Sequence, residues 1–238
     1  MPTPPSKELF DVSRRAAEAT KGAIRGADRN QAVGFAAVKR CRHLLGGMVR
    51  LHKSGADDLL GVLLRTLYET WVRGGYGCLG GAEAIEALES DELYHRSRID
   101  ADLGGVGPPA GQQLYLRAVA RRFAGLLAER GVPEPGPQFP IEGYRVLFRA
   151  ESFVNVHGGL GALNGFMQEQ SLGGRWTVAD DRPARPELGR HRLALGVAMF
   201  VSCADTAHRA SGLPNPEIDV LGTRIQGWRE RYGPVEEA

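Results

Sequence analysis

Cysteine, lysine and long apolar runs are all scarce in this chain, and each scarcity excludes something. Its three cysteines, Cys41, Cys78 and Cys203, lie far apart and show no zinc-ligand spacing. Each sits among apolar or small residues and reads as a reduced, partly buried thiol. No apolar run approaches the roughly 20 residues needed to span a bilayer, and the opening MPTPPSKELF has no signal-peptide core. The expectation is a cytoplasmic protein with no membrane partner. There is no P-loop, no Gly-x-Gly-x-x-Gly after a strand and no Gly-x-Ser-x-Gly elbow, so the common nucleotide-binding and hydrolase signatures are missing. No internal repeat, heptad seam or convincing strand is seen. Lysine numbers 4 against 26 arginines. Together with abundant Ala and Gly this fits a GC-rich genome, so arginine content alone does not argue for a nucleic-acid partner.

The composition that remains is ordinary for a globular protein: 42% hydrophobic and 24% charged residues over 238 positions. Charge is unevenly placed. Residues 1–55 hold eleven Lys/Arg and four Asp/Glu, whereas residues 56–103 hold four and ten. Such asymmetry marks either an anionic partner or two segments that attract each other. Apolar spacing predicts helices over 7–25, 31–53, 54–73, 82–102, 112–130, 141–155, 160–170, 187–211 and 218–232. The expected fold is all-α, a single multi-helix bundle of about seven helices with long Gly/Pro loops. One domain spans 1–238, with a disordered lead-in at 1–6 and an appended C-terminal helix within 213–238. Residues 171–186 read as an irregular loop anchored by Trp176. Helices 54–73 and 187–211 should be central, because neither has a full polar face.

Three groups of residues carry candidate chemistry. On helix 31–53, Lys39, Arg42, His43, Arg50 and Lys53 share one face and could contact successive phosphates, or could simply be solvated. Little aromatic residue is interleaved with them, which counts against a base-stacking platform. In helix 54–73, Ser54 and Asp57 suggest a capping pair and Gly74–Gly75 a stop. Arg65 and Glu69 lie one turn apart inside it. They read either as a buried ion pair or, with His157, Tyr144 and Arg149, as a ligand pocket. His157 is the one candidate catalytic group: it ends a helix before Gly158 and Gly159, where an imidazole can cap carbonyls or meet a ligand. Third, Glu69, Glu92, His95, Glu151, Asp205 and His208 follow the order of a di-iron four-helix bundle, whose ligands project at i and i+3. No cofactor is otherwise indicated.

The stretches LLRTLYETWVRGGY (63–76) and YRVLFRAESFVNVHGG (144–159) together resemble a bacterial family of all-helical domains of unknown function. That family pairs an Arg-x-x-x-Glu helix with a later Tyr-Arg…His-Gly helix. The likeness extends loosely to HEPN domains, helical bundles found in RNA-cleaving toxins and phage defence. The resemblance implies an RNA- or nucleotide-binding helical protein. HEPN nucleases place four to six residues between Arg and His, whereas seven separate Arg149 from His157 here, so degenerate or absent nuclease activity is expected. The alternatives are an oligomeric, non-catalytic scaffold (the small residues of helix 193–211 suit close packing), a di-iron oxidase, and a binder of a small anion at Arg65.

Overall fold

The structure is a computed structural model. It describes residues 3–22, 28–105, 107, 110–132, 136–145, 167–170, 175–178 and 186–232. The fold is all-α. In chain order the helices are α1 (Ser6–Ala19), α2 (Arg29–Lys53), α3 (Leu60–Leu79), α4 (Gly81–Asp102), α5 (Leu116–Glu129), α6 (Phe139–Gly143), α7 (Pro186–Ala210), α8 (Pro216–Gln226) and α9 (Trp228–Tyr232). Single 3-10 turns precede α3 and α6. Two short strands, β1 (Met167–Gln170) and β2 (Arg175–Val178), pair antiparallel with Met167 opposite Val178. This hairpin corrects two expectations, that no strand forms and that residues 167–170 are helical; the rest of the helix expected over 160–170 lies outside the described residues. Trp176, Thr177 and Val178 are strand formers, and only residues 171–174 separate the two runs.

Helix α3 is central, packed on α2, α7 and α5. From Leu193 to Ala204 of α7 every residue but Ser202 is buried. The expected centrality of these two helices therefore holds, but the boundaries of α3 do not. Ser54 is not its cap: the Ser54 N–H donates to Arg50 O and closes α2. Nor do Gly74 and Gly75 end it. A Cβ on Gly74 would lie 2.2 Å from Ala37 Cβ, and one on Gly75 would lie 2.3 Å from the Phe123 ring. These glycines let α2 and α5 approach, and the helix continues to Leu79.

Several ends match their sequence signals. Asp28 caps α2 by accepting from Gln31 N–H at 2.8 Å. Asn30 instead donates to Gly77 O and Gly81 O, securing the end of α3. Asn215 caps α8. Gly212, at φ +66°, ends α7, and Leu213 N–H reaches back to His208 O.

Helix α1 is fastened to α8 and α9. Pro4 is buried and Ser6 already belongs to α1, which corrects the disordered lead-in for residues 3–6. Glu8 of α1 accepts from Arg224 Nε at 3.1 Å, from Trp228 Nε1 at 3.0 Å and from the Tyr232 hydroxyl. Asp11 takes Arg224 Nη1 at 2.9 Å, and Arg15 donates to Glu217 at 2.7 Å. Burial works to raise the Glu8 pKa, but hydrogen bonds from Tyr232, Trp228 and Arg224 outweigh it and hold the group below its ordinary 4.5. Asp11 is held below its ordinary value of 3.8 first by its Arg224 hydrogen bond. A carboxylate with a lowered folded-state pKa contributes stability above its unfolded pKa and loses it as pH falls through the folded one. Acid should therefore release α8 and α9 from α1 before the core melts. Trp228 fluorescence should change below about pH 4 while the helical dichroism signal persists. Coincident loss of both signals would contradict this.

Candidate functional site

Most charged side chains that the sequence marks are already engaged. On α2, Lys39 is half-buried and donates to Thr20 O at the end of α1. Burial, then the Arg42 charge, lowers its pKa. Lys53 lies over the Phe10 ring at 5.0 Å. His43, Arg50 and Lys53 are exposed and Arg42 half-buried, so the stripe exists with Lys39 withdrawn from it.

Arg65 and Glu69 are both half-buried, not interior. Glu69 accepts from Arg73 Nε at 3.1 Å. An interior carboxylate near them is Asp91 on α4, which is 3% exposed. It takes Arg73 Nη1 at 2.7 Å and the Leu114 N–H at 2.6 Å, and His95 Nε2 lies 3.4 Å away. Segment 110–114 runs along α4 with further N–H groups held by Ser97 and Ser90. Sequence reading weighed Glu92, one residue on, and missed Asp91. The only available signal was Asp91 and His95 at i and i+4.

The described carboxylates of the di-iron alternative are each turned to an arginine one turn along the same helix: Glu69 to Arg73, Glu92 to Arg96 and Asp205 to Arg209. His208 has both ring nitrogens engaged, Nδ1 with Leu213 O at 3.0 Å and Nε2 with Asn215 at 3.3 Å. Among the described residues no group of three or more His, Cys, Asp or Glu side chains is gathered for a metal. Glu151, Arg149 and His157 lie outside the described residues.

What the fold does gather is arginine. Tyr68 of α3, fully buried, donates to Pro140 O at 2.5 Å. Its ring lies under Gly143, where a Cβ would come within 2.6 Å. Burial, then the neighbouring Tyr144, pushes the Tyr68 pKa up, so it remains a donor. This clamp fixes α6 against α3 and aims the following Tyr144 and Arg145 toward α5. There Arg117 and Arg121 lie one turn apart on the exposed face. Arg117, Arg121, Arg145, Tyr144, Ala120 and Ile141 line one shallow cleft.

The other arginines of this helix end are used. Arg122 donates to the Tyr76 hydroxyl at 3.1 Å, and Arg130 to Leu79 O at 3.5 Å. Among the described residues, Arg117, Arg121 and Arg145 have neither carboxylate nor carbonyl partner. Three unpaired guanidinium groups around one cleft repel each other and attract anions. Their planar donor forks suit phosphate oxygens.

A larger groove, about 270 Å³, lies between the end of α7 and α8. Its charges are internally matched: Arg209 bridges Asp205 at 2.6 Å and Asp219 at 2.8 Å. It offers a ligand no open donor set of comparable strength.

No helix among the described residues is long and apolar enough to cross a membrane. Comparison of the chain with protein-family models, curated proteins and solved structures finds no match.

Proposed function

We propose that this protein binds phosphate-bearing ligands, an RNA or a nucleotide, in the cleft between α5 and α6, without nuclease chemistry. The supporting observation is the trio Arg117, Arg121 and Arg145 beside the Tyr144 ring, none of the three engaged by a carboxylate among the described residues. Tyr144 adds an aromatic surface on which a base can stack. The all-helical fold agrees with the HEPN-like resemblance, and the exposed Arg50, His43 and Lys53 of α2 supply a second, weaker cationic surface. A cytoplasmic setting is part of this reading. Cys41, Cys78 and Cys203 are free and buried. Burial, then Cys203, pushes the Cys78 thiol up to about 11, where it is inert.

Fluorescence anisotropy with a short single-stranded RNA, competed by a free nucleoside triphosphate, tests the reading. Arg121→Glu/Arg145→Glu should weaken RNA binding about 100-fold, taking roughly 1.5 kcal/mol per charge-assisted contact. The salt slope should fall by about 0.7 per lost contact. Competition by the triphosphate assigns the cleft to nucleotides; its absence assigns it to polymer. Unchanged affinity in the double variant would remove the proposal.

A second reading has its own observation. The distal half of α4 leaves the bundle with Leu93, Ile99 and Leu103 more than half or about half exposed. Such apolar exposure favours a scaffold that pairs with a second copy. Light scattering would then show a dimer that Ile99→Glu/Leu103→Glu dissociates.

A further inference from the structure

Beyond the arginine cleft, the fold assembles a hydrogen-bonded chain from Ser6 of α1 and two residues at the α2–α3 turn, His52 and Asp57. Ser6 Oγ lies 3.1 Å from His52 Nε2, and His52 Nδ1 lies 2.5 Å from Asp57 Oδ1. The imidazole thus has a hydroxyl on one nitrogen and a carboxylate on the other. Because a carboxylate only accepts, Nδ1 carries the proton of the neutral imidazole, and Nε2 is then the acceptor facing Ser6. Exposure is greater at the hydroxyl end. The side chains of Asp57 and His52 are each 8% exposed, while Ser6 is half-buried at the start of α1.

Both buried members are held in place. Asp57 opens the 3-10 turn before α3, and its carbonyl accepts from Arg192 Nη1 at 3.1 Å. Its carboxylate is seated against Gly189 of α7, where a Cβ would come within 2.2 Å. The His52 ring leans on Phe10, with centroids 5.8 Å apart, and Phe10 carries the Lys53 ammonium on its face. A serine acting as an ordinary helix cap turns its oxygen to its own helix's N–H groups. No side chain caps α1, and Ser6 Oγ points to the imidazole instead. Glu8 and Leu9 N–H groups both bond to Pro5 O. Those of Ser6 and Lys7 have no partner among the described residues, and they stand beside the hydroxyl at the positive end of the helix dipole.

We propose that Ser6, His52 and Asp57 form a nucleophilic relay that hydrolyses small carboxylic esters, with the Ser6 and Lys7 amides receiving the oxyanion. Such a relay is recognised by geometry and roles, not by sequence order or fold. Ser6 Oγ bonds to the ester carbonyl carbon as its proton passes to His52 Nε2. The bond from that carbon to the alkoxy oxygen breaks, and His52 returns the proton to the departing alcohol. A water then gives a proton to His52 and its oxygen bonds to the acyl carbon. The bond to Ser6 Oγ breaks, the proton returns to Ser6, and the acid leaves. Asp57 is a positioning residue throughout, fixing the tautomer of His52. The Phe10 ring lies against the imidazole and carries the Lys53 ammonium on its face, which suits a short acyl group with an apolar or anionic end.

The test uses the full chain with a fluorophosphonate probe and peptide mapping by mass spectrometry. The expected result is modification at Ser6, abolished in Ser6→Ala and slowed at least 100-fold in His52→Gln. Asp57→Asn should slow labelling and flatten its rise with pH, a change that a merely structural aspartate would not cause. No modification at Ser6, or equal labelling of parent and His52→Gln, overturns the proposal. Should the histidine variant fail to fold, Ser6→Ala carries the test alone, since it removes one partly exposed oxygen. Its hydrolysis of p-nitrophenyl acetate should drop to that of free imidazole in solution, and an unchanged rate overturns the relay.

Discussion

Asp91→Ala is expected to destabilise the protein by about 3 kcal/mol, the low end for removing one partner of a buried pair. Three groups lose their acceptor at once. The Arg73 guanidinium, with a quarter of its side chain exposed, keeps only Glu69. The Leu114 N–H is stranded where segment 110–114 meets α4, and His95 loses its carboxylate. For a chain of this size the melting temperature should fall by roughly 6 to 12 °C. Asp91→Asn, which keeps one oxygen for Leu114, should cost less. Arg73 retains solvent access, so a full buried-charge penalty is not expected. A melting temperature within a degree or so of the parent would show that the pair contributes nothing.

Gly75→Val should destabilise by about 3 kcal/mol, near the upper end for overpacking a core. The helix propensity of the new residue is better than that of glycine, so the sign is set by space alone. The obstacle is the Phe123 ring, fully buried and edge-packed on Trp71 with centroids 5.7 Å apart. Phe123→Leu should therefore be costly in the parent and much less so beside Gly75→Val. Chemical denaturation of the four proteins in this cycle measures the coupling. Additive costs would mean that α5 does not approach α3 through Gly75.

These two sites mark how far the sequence can be read. Helical periodicity and capping chemistry are local, so the helical class, the Asp28 cap and the Gly212 stop are legible. The glycines of α3 carry the opposite meaning from their local signal. Propensity says that a Gly-Gly pair ends a helix, but the approach of Ala37 and Phe123 overrides it. Buried Asp91 is one residue from the Glu92 considered, because helix α4 has no clean apolar face to show which side turns inward. Charge pairing is also ambiguous from spacing alone. Arg65 to Glu69 and Glu69 to Arg73 are both four apart, and only the fold shows Glu69 joined to Arg73. The arginine cleft joins α5 to the end of α6, and the Ser6 relay joins α1 to the α2–α3 turn. Neither leaves a motif in consecutive residues.

Amide hydrogen exchange with and without a saturating short single-stranded RNA tests the central claim most directly, because it separates the two cationic surfaces. Slowed exchange confined to residues 116–122 and 139–145 is the predicted result. Protection on the α2 face at residues 39–53 with none around Arg117, Arg121 and Arg145, or no protection anywhere, would contradict it.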